Sequence, residues 1–229
     1  MILYTMTKEE LVKELTADTR WIDSLRGGIV TKYSKRLNPK TATDGHSLLG
    51  ITTYTTPRKN KVIVAWTRVK TGKYITLESM HYFQYTAKNG TIQYINPCYG
   101  NQRLEPKKIV IYTAHALQRV RERAGMNLLE TLAYQCSNEA TAHYVGKYMY
   151  KGELKTMFNL GDKGMFITTE HRWGTTALTF VSYDLLGEAQ EEEIKKCIRK
   201  MREYNDRKLI KLEDDCAKLP RFLKRSVMI

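Results

Sequence analysis

Apolar positions along this chain change period several times, and each change marks an element. In "TMTKEELVKELTADTRWIDSLRGG", Leu11, Leu15, Ile22 and Leu25 recur at helical spacing. Thr7 and Glu10 stand three apart, as a capping box requires, and Gly27-Gly28 is the expected stop. The next stretch, "IVTKYSKRLNPKTATDGHS", mixes polar and basic residues with Pro39 and reads as a loop.

The pattern then turns to strands. "LLGITTYTT", "KVIVAWTRV", "YITLESMHYFQYTA" and "TIQYINP" are rich in β-branched and aromatic residues, and Asn89-Gly90 predicts a hairpin of type I′ between the last two. "NPCYGNQRLEPKK" is a loop, and "IVIY" a short buried strand. A helix capped by Thr113 follows, with Gly125 placed as its left-handed terminator. Asn127 and Glu130 offer a second helix start, with a broken helical pattern to about Tyr150. "KGMFITTEHRWGTTALTFVSYD" predicts another hairpin turning near "HRWG". From about Leu185 a long charged helix runs to roughly Leu212, with Ile194, Ile198, Met201 and Leu209 on its stripe. The expected fold is α+β: an antiparallel or mixed sheet, flanking helices and a long C-terminal helix. Residues 1–107 read as a basic N-terminal α+β region and 108–229 as a second region, with one continuous domain as the alternative.

Charge sharpens this picture. The chain of 229 residues carries a formal net charge of +14. Residues 1–112 hold 18 Lys/Arg against 8 Asp/Glu, and between Ser24 and Leu77 eleven basic residues face one acid, Asp44. A field of one sign over that length attracts polyanions. Lys32, Lys35, Arg36, Arg58, Lys59 and Arg68 alternate with Tyr33, Tyr54, Trp66 and Tyr74, a pattern that suits phosphate contacts with base stacking and also suits a half-buried sheet. The partner is therefore expected to be nucleic acid, RNA before DNA, or an acidic protein.

The four cysteines, Cys98, Cys136, Cys197 and Cys216, have no zinc-site or disulfide spacing. No metal and no cofactor is expected, since there is no Gly-rich phosphate loop, HExxH or GxSxG. No run approaches the roughly 18 apolar residues of a membrane span, so the expected setting is cytoplasmic.

"IYTAHALQRVRER" concentrates the candidate chemistry. At about 100° per residue, Arg119 falls about 40° from His115, with Glu122 and Arg123 on the same side and Leu117, Val120 and Ala124 opposite. Amphipathic helices gather polar residues in this way without any function, and an Arg–Glu pair three apart is common decoration. Yet His115 falls in the first turn, where the helix dipole favours a neutral imidazole, and arginines one turn on can hold a phosphate. His171, beside Arg172 and Trp173, is a second candidate as an acid/base or stacking group; His81 reads as a sheet residue.

"HALQRVRERAG" resembles the HAxxRxxER signature of small domains related to the barnase/RelE-like ribonuclease superfamily, found in toxins and on phages and mobile elements. "LTFVSYDLL", residues 178–186, resembles the later strand end of those domains. The resemblance covers about residues 108–186 and implies an RNA-cleaving or RNA-binding α+β domain. His115, Arg119, Glu122 and Arg123 are the matching positions, and Thr179 or Tyr183 would be the final-strand group. The implied activity is metal-independent RNA cleavage, with a host cytoplasm or a virion as the setting. The alternative is a non-catalytic phage protein that binds nucleic acid or a protein partner through its basic surface.

Overall fold

The computed structural model describes residues 1–185 apart from 39, 41, 43–44, 100–105, 136–143 and 151–152. Helix α1 (Lys8–Ser24) starts as its sequence requires. The Glu10 N–H donates to the Thr7 hydroxyl at 3.2 Å, and the Thr7 N–H donates to the Glu10 carboxylate at 2.8 Å. Leu11, Leu15 and Ile22 are fully buried beneath it.

The glycine pair does not end the helical path. The break falls at Leu25, and Gly27-Gly28 lie inside a second helix, α2 (Arg26–Lys32). Glycine costs a helix about 1 kcal/mol per residue without forbidding it. Burial of Ile29 and the Arg26 guanidinium on the Leu77 carbonyl, at 2.8 Å, anchor the turn. Part of the segment read as a loop is therefore helical.

Among the described residues, nine strands form one sheet in the order β1-β2-β3-β4-β5-β9-β8-β7-β6. Their ranges are β1 Gly45–Thr55, β2 Lys61–Thr71, β3 Tyr74–Thr86, β4 Ile92–Tyr99, β5 Pro106–Tyr112, β6 Tyr144–Tyr150, β7 Glu153–Asn159, β8 Met165–His171 and β9 Gly174–Val181. Two antiparallel meanders, β1–β5 and β6–β9, meet at a single parallel seam that pairs Val110 with Thr175 and Tyr112 with Ala177. The sheet thus runs without a break across residues 107 and 108. Gly174 makes the seam possible: a Cβ there would lie 2.2 Å from the Ile109 carbonyl oxygen.

Helices cover both faces. On one side Val62, Val64, Trp66, Phe83, Ile95, Ile109 and Ile111 pack with α1 and α2. On the other, Ile63, Tyr82, Val110, Tyr112, Phe166 and Phe180 pack with Ala116 and Val120 of α3 (Ala114–Ala124) and Leu132 of α4 (Leu128–Gln135). Successive strand residues alternate between faces, so double coverage explains why "VIVAW" is apolar throughout.

Both later helix starts hold. Thr113 accepts from the Ala116 N–H at 3.0 Å, Gly125 terminates α3 with φ 68°, and Asn127 and Glu130 cap each other's backbone at the start of α4. The Asn89-Gly90 hairpin forms with a different turn. Only Gly90 has positive φ, 77°, and the Gly90 N–H donates to the Ala87 carbonyl while the Ala87 N–H donates to Thr91. This is a three-residue loop with a glycine bulge, favoured because the Asn89 side chain accepts from Thr91. The helical pattern expected to about Tyr150 is wrong at its end, where β6 stands instead, followed by β7. The long helix from Leu185 lies outside the described residues. Among the described residues, no helix is long and apolar enough to cross a membrane.

Candidate nucleic-acid interface

The HAxxRxxER residues lie on α3, over the seam side of the second meander. The Thr113 hydroxyl donates to the Ala177 carbonyl at 2.9 Å and ties the helix start to β9. Ala116 and Val120 face the core, which turns His115 outward into solvent. Arg119 donates to Glu122 at 2.5 Å, and Gln118 donates to the same carboxylate at 2.8 Å. These bonds, Gln118 first and Arg119 next, hold the Glu122 carboxyl below its ordinary value.

The rest of the set points elsewhere. Arg123 donates to the Phe180 carbonyl at the end of β9. The Tyr183 hydroxyl donates to the Gly161 carbonyl at 3.2 Å, and Thr179 is buried. The structure thus brings Arg119 and Glu122 together, leaves His115 exposed one turn away, and uses Arg123 to clamp helix to strand.

The six basic candidates divide into two groups. Arg36 donates to the Leu48 and Leu49 carbonyls of β1 at 2.7 and 2.8 Å, and Arg68 donates to the Arg36 carbonyl at 3.0 Å. Lys32 and Lys35 are exposed beside them, and Tyr33 lies beneath the Lys32 ammonium (5.2 Å) and the Arg36 guanidinium (5.9 Å). The strand register adds two lysines that the sequence reading did not single out. Lys70 pairs with Gly45, and Lys73 occupies the β2–β3 turn at Gly72, which has φ 57°. Recognising β2–β3 as a tight hairpin would have found them, because its turn must carry Lys70 and Lys73 to one end.

Arg58 and Lys59 sit in the β1–β2 turn, at the other end of the strands. Arg58 is held there by Glu14 at 2.7 Å. Burial pushes the Glu14 carboxyl up, but hydrogen bonds from Arg58, the Met1 ammonium and Asn60 outweigh it and hold the group at about 2. Lys59 and Lys61 remain exposed. A cleft of about 460 Å³ beside this turn, lined in part by Glu10, Lys13, Glu14 and Arg58, mixes both signs of charge and does not suit a polyanion.

The aromatic candidates are mostly structural. Trp66 is fully buried, Tyr54 stacks edge-on against Trp21 at 6.0 Å, and Trp173 is 1% exposed, its indole N–H donating to the Met6 carbonyl at 2.8 Å. Trp173 therefore offers no stacking platform. His171 is exposed, accepts from the Trp173 N–H at 3.3 Å, and is pushed below its ordinary pKa by partial burial and by Arg172. His81 is buried between the Thr19 and Ser79 hydroxyls, and burial, aided by Arg26, lowers it to about 4.

Comparison with known proteins finds no family model, no curated relative and no solved structure that matches this chain.

Proposed function

We propose that this protein binds nucleic acid, RNA in preference to DNA, through the basic end built by α2, the turn after it and the β2–β3 hairpin. The observation that carries the reading is the convergence there of the exposed Lys32, Lys35, Arg36 and Lys73 and the half-buried Lys70, drawn together over the buried Arg68 by its hydrogen bond to the Arg36 carbonyl and by the β1–β2 register. Phosphate contacts of this kind give affinity that falls steeply with salt, each neutralised phosphate contributing about 0.7–0.9 to the logarithmic slope. Fluorescence anisotropy with labelled RNA across a salt series tests it, wild type against Lys32→Glu/Lys35→Glu/Lys73→Glu. Strong salt-dependent binding that the triple variant loses supports the reading. Affinity that is absent or flat with salt points instead to an acidic protein partner.

Exposure of His115, with Arg119 one turn on, favours a second reading in line with the ribonuclease-like resemblance. His115 would exchange the proton and Arg119 would neutralise the phosphate, with Glu122 orienting Arg119; Arg123 and Tyr183 would join only by leaving the Phe180 and Gly161 carbonyls. Arg119 and Arg123 already have protein partners, so binding without cleavage is the first reading. Incubating mixed RNA with chelator, wild type against His115→Ala, separates the two. Cleavage lost only in the variant would establish the enzyme; intact RNA with both proteins would end that reading.

A further inference from the structure

The two groups of basic residues stand at the two ends of β1, the outermost strand of the sheet order. Arg36 meets β1 at Leu48 and Leu49, and Lys61 pairs opposite Thr55 at the far end. Between them the strand reads "GITTYT", and no charged residue occurs from Gly45 to Pro57. Sheet edges are normally guarded by charge, proline or a bulge. Among the described residues the guard is confined to one half: a bulge between Leu48 and Gly50, with the Arg36 guanidinium on two carbonyls. Beyond it, half of the backbone N–H and C=O groups of residues 51–55 point away from β2, and Thr53 and Thr55 are exposed.

Resting on the proposed function, we infer that this edge is the track of a single RNA strand, entering at the Lys32–Lys35–Arg36 end and leaving over Lys59 and Lys61. Outward N–H groups can donate to phosphate oxygens, and a single row of them with cations at both ends suits one backbone better than the paired backbones of a duplex. A second copy of the chain on the same edge is disfavoured, because antiparallel pairing would press the basic ends of two +14 molecules together. From Leu48 to Thr55 is seven residues, about 23 Å at about 3.3 Å each. That distance is spanned by roughly seven nucleotides at the 3.4 Å spacing of a stacked strand.

The test crosses probe length with end-specific variants. Oligouridylates of four and twelve nucleotides are titrated against wild type, Lys32→Glu/Lys35→Glu and Lys59→Glu/Lys61→Glu. The near-end variant should weaken both probes at least tenfold. The far-end variant should weaken the twelve-nucleotide probe about tenfold and leave the four-nucleotide probe within twofold. Far-end substitutions without effect on either probe, while the near end still matters, would overturn the track and leave the proposed function standing. Equal loss of a twelve-base-pair RNA duplex in the far-end variant would overturn the single-strand assignment. No binding of any probe to wild type would remove both. Unchanged circular dichroism and melting in the two variants show that loss of binding is not loss of folding.

Discussion

Glu14 is the carboxylate whose ionisation should matter most to stability. It is 5% exposed and accepts from Arg58 at 2.7 Å, the Met1 ammonium at 3.0 Å and Asn60 at 2.8 Å. A carboxyl held at about 2 in place of its usual 4.5 carries about 3 kcal/mol, at about 1.36 kcal/mol per pKa unit. Arg58 and Met1 are largely exposed and screened by solvent, which reduces this to about 2 kcal/mol. Because the folded value lies below the unfolded one, the contribution is complete above about pH 4.5 and drains away as the pH falls towards 2. Glu14→Gln keeps the shape and an acceptor for Asn60 but removes the charge. Urea unfolding should show the variant about 2 kcal/mol less stable at pH 7, with only about a quarter of that gap left by pH 2.5. Asp18 moderates the gap, since burial raises its pKa and the Glu14 charge raises it further, a strain that Gln relieves. A stability gap of the same size at pH 7 and pH 3 would refute the ionic account and make Glu14 a packing residue.

Two further outcomes follow from the seam and the α3 clamp. Arg123→Ala removes a charged donor from the Phe180 carbonyl and should cost about 1.5–3 kcal/mol in chemical denaturation, whereas Arg119→Ala should be indistinguishable from wild type because its partner Glu122 stands in solvent. Gly174→Ala drives a methyl into the Ile109 carbonyl and should unfold the protein or lower its melting temperature by well over 10 °C, while Gly27→Ala, with open space around it, should raise stability slightly.

Local chemistry was readable where one turn or one face decides the outcome. Thr7 with Glu10, Thr113, Gly125 and Asn127 with Glu130 marked four helix ends, and the "HRWG" turn marked the β8–β9 hairpin. What escaped depends on partners distant in sequence. β6 and β7 have helix-compatible residues ahead of them and gain their strand character from pairing with each other and with β8. The parallel seam has no local signature, because Val110 and Thr175 meet only in the finished sheet. The division of the basic set between two ends was hidden for the same reason. Arg58 and Arg68 are near in sequence, yet antiparallel pairing sends the β1–β2 turn and the β2–β3 end apart, and brings Lys73 into the group with Lys35 and Arg36. On α3 the wheel placed every polar residue on the correct side, but it could not show that Arg123 would bend onto Phe180.

β5 has to wait for its second neighbour. Its partner β9 begins at Gly174, some sixty residues after Tyr112, so a growing chain exposes the rim of Ile109, Val110, Ile111 and Tyr112 throughout the synthesis of everything between. Such a rim invites pairing with other nascent chains. Pro106 and Lys108 stand at its entrance as gatekeepers: an imino acid that cannot donate, followed by a charge that repels a like strand. Their cost in sheet propensity is the toll of a topology closed from opposite ends of the chain, and replacing them with valine should leave the finished fold intact while the yield of soluble protein collapses.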